Sequence, residues 1–190
     1  MSMITLQPGP SSHASVWLDE LPPLTYPPSQ VMELCVAARP GAIQTARRAA
    51  IERTWPSCGP SSYGLLGAEF IPAPTEQIQI LVHCSDNQIA QAPFEDVLPR
   101  GPVRIGLLDE YGKAVLAGAA AAAELLGAGT LRFDHAAHDL VGSSPVVFAW
   151  LASGVVELLA LPSESLDRLR LLDILRRPQR GPAAYASSPD

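Results

Sequence analysis

At 190 residues the chain has the length of one ordinary domain, able to bury well over half of its unfolded-chain surface without a disulfide or metal staple. A hydrophobic fraction of 47% and a mean hydropathy of +0.15 exclude a disordered polymer, while 19 prolines and 14 glycines imply many turns and loose ends. The formal charge of −6 argues against binding nucleic acid through a basic field, and with Lys113 the only lysine, phosphate contacts would fall to arginine or backbone amides.

Residues 1–44 read as a proline-rich segment with short strands at Ile4 to Leu6, Ala14 to Leu18 and Val31 to Ala37. Pro8, Gly9 and Pro10 interrupt any early apolar run and no basic segment precedes them, so no secretory leader is expected. Cys35, Cys58 and Cys84 form no Cys-x-x-Cys pair, which suits a reducing compartment, and Cys35 and Cys84 are expected as small buried hydrophobes. A cytoplasmic location is the expectation.

Thr45 to Trp55 is ambiguous. Ala46, Ala49 and Ala50 favour a helix by propensity, yet Ala49, Ile51, Arg53 and Trp55 fall on one side of a strand. Ser57 to Gly64 is loop chemistry, and Leu65 to Ile71 reads as a strand stopped by Pro72 and Pro74. Gln77 to Cys84 alternates Ile78, Ile80 and Val82 with mostly polar residues and predicts a half-buried strand, expected to form a hairpin with the one before. His83 and Cys84 then point to opposite sides, so at most one is buried.

Asp86 to Pro102 has no clean period and reads as a connection. Leu107 to Leu126 is the strongest helix, with Leu108, Tyr111, Val115, Ala119, Ala122 and Leu126 on one stripe and Gly127 and Gly129 as stop signals. The longest apolar stretch, Ala114 to Gly129, contains Glu124 and is too short and too rich in Ala and Gly to span a membrane. Leu131 to Asp134 predicts a short strand and His135 to Gly142 a loop. Ser143 or Ser144 then caps a helix with Pro145 at its first position, running to about Leu159. Residues 161–190 predict an amphipathic helix over Leu166 to Leu175, opened by Ser163 or Ser165, and a disordered tail; Arg168, Arg170, Arg176, Arg177 and Arg180 make this the basic end of an acidic chain.

Two loops carry a resemblance. Ser57-Cys58-Gly59-Pro60-Ser61-Ser62-Tyr63-Gly64 followed by Glu69-Phe70-Ile71-Pro72 is similar to the Ser-Gly-Gly-Arg-Gly-Gln-Tyr-Gly loop and Glu-Phe-x-Pro strand end in the fourth domain of elongation factor G and its relatives. Glu110-Tyr111, the strand at Leu131 to Phe133, and Asp134 through His138 to Ser143-Ser144 resemble the later part of that domain, with one residue added between His138 and Ser143. Glu33 to Val36 and Arg39-Pro40 weakly resemble the end of the family's third domain. The similarity spans roughly residues 31–160.

The resemblance implies an α+β fold over residues 45–160: a split β-α-β sandwich, related to the second domain of a small-subunit ribosomal protein, with a four-stranded sheet and two helices on one face. It makes Thr45 to Trp55 a strand. It also implies a tip formed by the two loops, with Ser57, Cys58, Gly59, Ser61, Ser62, Tyr63, His138 and Ser143 as binding residues and the ribosome or its RNA as partner. The absence of Gly-x-x-x-x-Gly-Lys-[Ser/Thr] excludes GTP hydrolysis, and Pro60 replaces the family's loop arginine, so charge assistance for phosphate contact is lost. No cofactor and no metal are expected.

Asp134, His135, His138 and Asp139 also place two imidazoles and two carboxylates within six residues. A small enzyme reusing this fold would use His138 or His135 with Asp134 as acid-base groups on a small-molecule substrate, with Cys58 close by if the loops share a tip. A zinc site would need Cys58 or His83 as a third ligand. A third reading has a partner protein docking on the C-terminal helix.

Overall fold

The computed structural model describes residues 3–9, 12–38, 43–55, 62–85, 89–91, 103–162 and 167–176. Alternating burial along Gln77–Cys84 makes it strand β6, and before it come β1 (Met3–Gly9), β2 (Ser12–Leu18), β3 (Gln30–Ala37), β4 (Arg47–Trp55) and β5 (Ser62–Pro72), the last buried on both sides from Tyr63 to Phe70. Short strands β7 (Ile89–Gln91) and β8 (Val103–Ile105) precede helix α1 (Asp109–Ala122). Strand β9 (Gly129–Asp139) and helices α2 (Pro145–Ala160) and α3 (Arg168–Arg176) complete the described elements.

The nine described strands join one sheet in the order β1-β2-β4-β5-β9-β6-β3, with β8 paired to the end of β9 and β7 to β8. The architecture is mixed α and β. Residues 45–160 hold six described strands rather than the four expected: β4-β5-β9-β6 are consecutive, β8 and β7 add on at the end of β9, and strands from the proline-rich segment extend the sheet on both sides. Ala50 and Ile51 lie opposite Trp17 and Val16 of β2, and Leu34 of β3 lies opposite Ile80 of β6. Strand wins over alanine propensity at 47–55 because both edges of β4 are filled, by β2 and β5.

The expected β5–β6 hairpin is not formed. Strand β9 lies between them, antiparallel to β5 and parallel to β6. A parallel pair requires a crossover, and α1 supplies it. Leu131 and Phe133, both buried, make β9 a better central strand than an edge. Gly129 opens it at a φ of +155°, where an added Cβ would lie 2.4 Å from the carbonyl of Ile71, so only glycine lets the two chains approach so closely.

Helices α1 and α2 pack on one side of the sheet, α1 over β6 and β3, α2 over β5 and β4. Their own contact is close: a Cβ on Gly118 would fall 2.1 Å from the carbonyl oxygen of Ala149, and Ser153 Oγ donates to Gly118 O at 2.9 Å. Ser144 caps α2, accepting from Val147 N, with Pro145 in the first turn. Helix α3 is opened by Asp167, whose carboxylate accepts from Arg170 N at 2.7 Å; Ser163 and Ser165 lie outside the described residues. Leu171, Ile174 and Leu175 are buried, and Arg176 Nε donates to Pro8 O, so the apolar stripe of α3 faces the protein's own core. No described helix is long and apolar enough to cross a membrane.

The opposite side of the sheet carries a strap. From the end of β2, residues 19–29 cross to the start of β3. Asp19 N donates to Arg48 O at 2.8 Å, Leu21 lies over Gly67, and the buried Tyr26 donates its hydroxyl to His83 O at 2.9 Å. Prolines 22, 23, 27 and 28 suit an extended segment that belongs to no ladder. Cys84 is buried under α1, as expected. Cys35 is exposed, because it sits on the strap side of an edge strand, where nothing described covers it.

Candidate functional site

Strand β9 does not stop at Asp134 but continues to Asp139, so His135 and His138 are strand residues rather than loop residues. The β5–β9 register shifts by one between Gly67↔His135 and Ala68↔Phe133, which leaves Asp134 as the extra residue of a bulge. A bulge re-aims side chains that would otherwise alternate. Here it lets Asp134 and His135 meet on the strap side, with His135 Nδ1 2.6 Å from Asp134 Oδ1. Beyond it the alternation resumes and turns His138 to the helix side.

The strap side therefore holds a chain of alternating charges. Arg132 Nε donates to Asp134 Oδ2 at 2.7 Å and Arg132 Nη2 to Glu69 Oε2 at 2.9 Å; Arg48 Nε donates to Glu69 Oε1 at 2.8 Å. These groups border an open pocket of about 440 Å3 lined by Asp19, Glu20, Leu21, Arg48, Glu69, Arg132 and His135. Burial alone would raise the Asp134 carboxyl, but hydrogen bonds and charge from His135 and Arg132 hold it below the usual carboxylate range. An imidazole oriented by a carboxylate at a pocket wall has the geometry of a general acid or base.

His138 is in a different environment. It is fully buried, its Nδ1 lies 3.0 Å from Gly106 O, and its ring meets Tyr111 edge-on at 5.5 Å. A carbonyl only accepts, so Nδ1 carries the proton. Burial pushes the imidazole below its ordinary value, and the bond to Gly106 only partly opposes this. His138 is thus a packing residue behind the tip rather than a surface contact. It lies on the other side of the sheet from His135, so the two do not share one acid-base site.

Of the two resembling stretches, the start of β5 meets the turn that follows β9. Ser143 Oγ donates to Tyr63 O at 2.7 Å and accepts from Asp139 N at 2.9 Å, and Tyr63 N donates to Gly142 O at 3.3 Å. Asp139 Oδ1 accepts from Val141 N at 3.0 Å, tightening the turn. Leu140 and Val141 are left exposed and Ser62 is half-buried. Tyr63 is buried instead: its hydroxyl donates to the buried Glu52 at 3.0 Å, and burial with the nearby carboxylates pushes the phenol up. Ser62 to Gly64 belong to β5 rather than to the loop, and Ser57, Cys58, Gly59 and Ser61 lie outside the described residues.

Among the described residues no group of three or more His, Cys, Asp and Glu is arranged to hold a metal ion. His83 is half-buried on the strap side, and burial lowers its imidazole. Arg48, Glu69 and Arg132 escaped the motif reading as site residues. The signal for Glu69 and Arg132 was a charged residue in the middle of an otherwise apolar strand, at 65–71 and 131–133; Arg48, among the other charges of 47–53, carried none. Compared with protein families, with curated proteins and with solved structures, the chain matches none.

Proposed function

We propose that the chain is a GTPase-free binding module of the elongation factor G domain IV type, contacting the ribosome or its RNA through the tip around residues 140–144 and the adjoining start of β5. The observation that carries this reading is the Ser143 hydroxyl, which ties Tyr63, at the start of β5 in one resembling stretch, to Asp139, at the end of β9 in the other. The order β4, β5, β6, β7, β8, α1, β9, α2, with β9 inserted between β5 and β6, is compatible with the split sheet that the resemblance implies, with β7 and β8 as additions to it.

The tip's chemistry shapes the expectation. Its described residues, 62–63 and 139–144, include no cation and offer hydroxyls, backbone groups and the exposed Leu140 and Val141. Contact of that kind releases few counterions, so binding should change little with salt. Co-sedimentation with 30S and 70S ribosomes at moderate salt tests the reading, and a chain that stays in the supernatant with both would overturn it.

A second reading is favoured by the His135–Asp134 pair beside the pocket: a small enzyme using His135 as general acid or base on a small-molecule substrate. A hydrolytic activity lost in His135→Gln with an unchanged melting temperature would support it. Activity unaffected by that substitution would remove it.

A further inference from the structure

Strand β3 is an edge of the sheet. It pairs with β6 from Gln30↔Cys84 to Ala37↔Gln77 with no break in register, and no described strand lies on its other side. Natural edges are usually blunted by proline, lysine or a bulge. The run Gln-Val-Met-Glu-Leu-Cys-Val-Ala contains neither proline nor lysine, and only Glu33 is charged. Val31 is 48% and Leu34 37% exposed.

The hydrogen-bond parity says which groups face outward. Ala38 N donates to Glu76 O at 3.0 Å, which continues the β3–β6 register by one residue. Bonded pairs in an antiparallel ladder recur every second residue, so Gln30, Met32, Leu34 and Val36 direct their backbone groups to β6. Val31, Glu33, Cys35 and Ala37 present theirs to the open edge.

We infer that β3 is a homodimer interface, at which a second copy of this chain adds its own β3 antiparallel about a twofold axis through Leu34. That axis opposes residue 31 to 37 and residue 33 to 35 in both directions. All four outward-facing residues are then paired among themselves, forming about eight backbone hydrogen bonds. Moving the axis to Glu33 would set two carboxylates opposite each other and leave Ala37 without a partner. Moving it to Cys35 would leave Val31 without one. The Leu34 register alone satisfies the whole edge, sets no like charges face to face, and covers the exposed Leu34 with its own copy. A strand complementary to itself about one axis meets the requirement of an isologous contact, and this is what selects a second copy over an unrelated peptide. The inference does not depend on the tip reading.

Sedimentation of the full chain over a wide concentration range should show a reversible dimer. Leu34→Lys sets two ammonium groups opposite each other and should weaken association by at least about tenfold. A disulfide cross-link reads the register itself. Residues at the axis form a non-hydrogen-bonded pair with Cα atoms about 4.5 Å apart, within disulfide reach. Leu34→Cys in a Cys35→Ser background should therefore cross-link under mild oxidation, whereas the wild-type Cys35 should not. A chain that is monomeric at every concentration overturns the inference. So does a dimer that survives Leu34→Lys, or one that cross-links at Cys35 instead of position 34.

Discussion

The imidazole of His135 lies 2.6 Å from the carboxylate of the residue before it, Asp134, a contact that neighbouring strand residues make only because a bulge opposite Gly67 and Ala68 puts both on one side of the sheet. The pair is held by Arg132, and the folded-state carboxyl of Asp134 lies below its ordinary value. A depressed carboxyl contributes stability that is present above its unfolded pKa and lost as pH falls through the folded one. Asp134→Asn should thus cost about 1–3 kcal/mol at neutral pH and progressively less in acid, where the wild type loses the same contribution. Urea unfolding of both proteins at neutral and acidic pH measures this.

His138 should behave in the same sense for a different reason. Its imidazole is depressed by burial, so protonation is harder in the folded state, and stability falls as pH drops through and below the ordinary imidazole range. Nitrogen NMR should find the proton on Nδ1, and titration should lie below that of an exposed histidine. His138→Ala removes the donor to Gly106 O and opens a gap beside Tyr111, with an expected loss of about 2–4 kcal/mol in chemical denaturation.

Gly118 sets the spacing of the two helices. Gly118→Ala would drive a methyl group into the backbone carbonyl of Ala149, which cannot move without shifting α2, and should cost about 3 kcal/mol. Thermal unfolding should show a clear fall in melting temperature, while Ala119→Gly, one residue along, should cost less.

Tyr63 separates support from contact at the tip. Tyr63→Phe removes one donor to the buried Glu52 and should lower stability by about 1–3 kcal/mol. Because the ring itself is buried, ribosome binding by the folded protein should change little, which co-sedimentation below the unfolding temperature checks.

Much of the fold could be read from local pattern. The alternation of Ile78, Ile80 and Val82 gave β6, and the Tyr111–Val115–Ala119 stripe gave α1, because one buried side imposes its period on the residues. The insertion of β9 between β5 and β6 is set by long-range pairing and leaves no local mark, so the local pattern pointed to a β5–β6 hairpin instead. The candidate site was harder. Asp134 and His135 stood out as residue types, yet only the bulge decides that they face the strap with Arg48, Glu69 and Arg132. The same bulge sends His138 to the helix side, whereas the resemblance implied a place at the tip. Cys35 was expected inside because cysteine usually is, but its strand lies at an edge.

Val141 offers the most direct test of the tip. It is 66% exposed, and its backbone N–H rather than its side chain holds the turn, so Val141→Asp should leave the fold intact while placing a negative charge at the proposed contact. In co-sedimentation with 70S ribosomes the wild-type chain should pellet with little dependence on salt, and Val141→Asp should remain largely in the supernatant. Equal pelleting of the two proteins would contradict binding through this tip, and a wild-type chain that never pellets would contradict the module reading altogether.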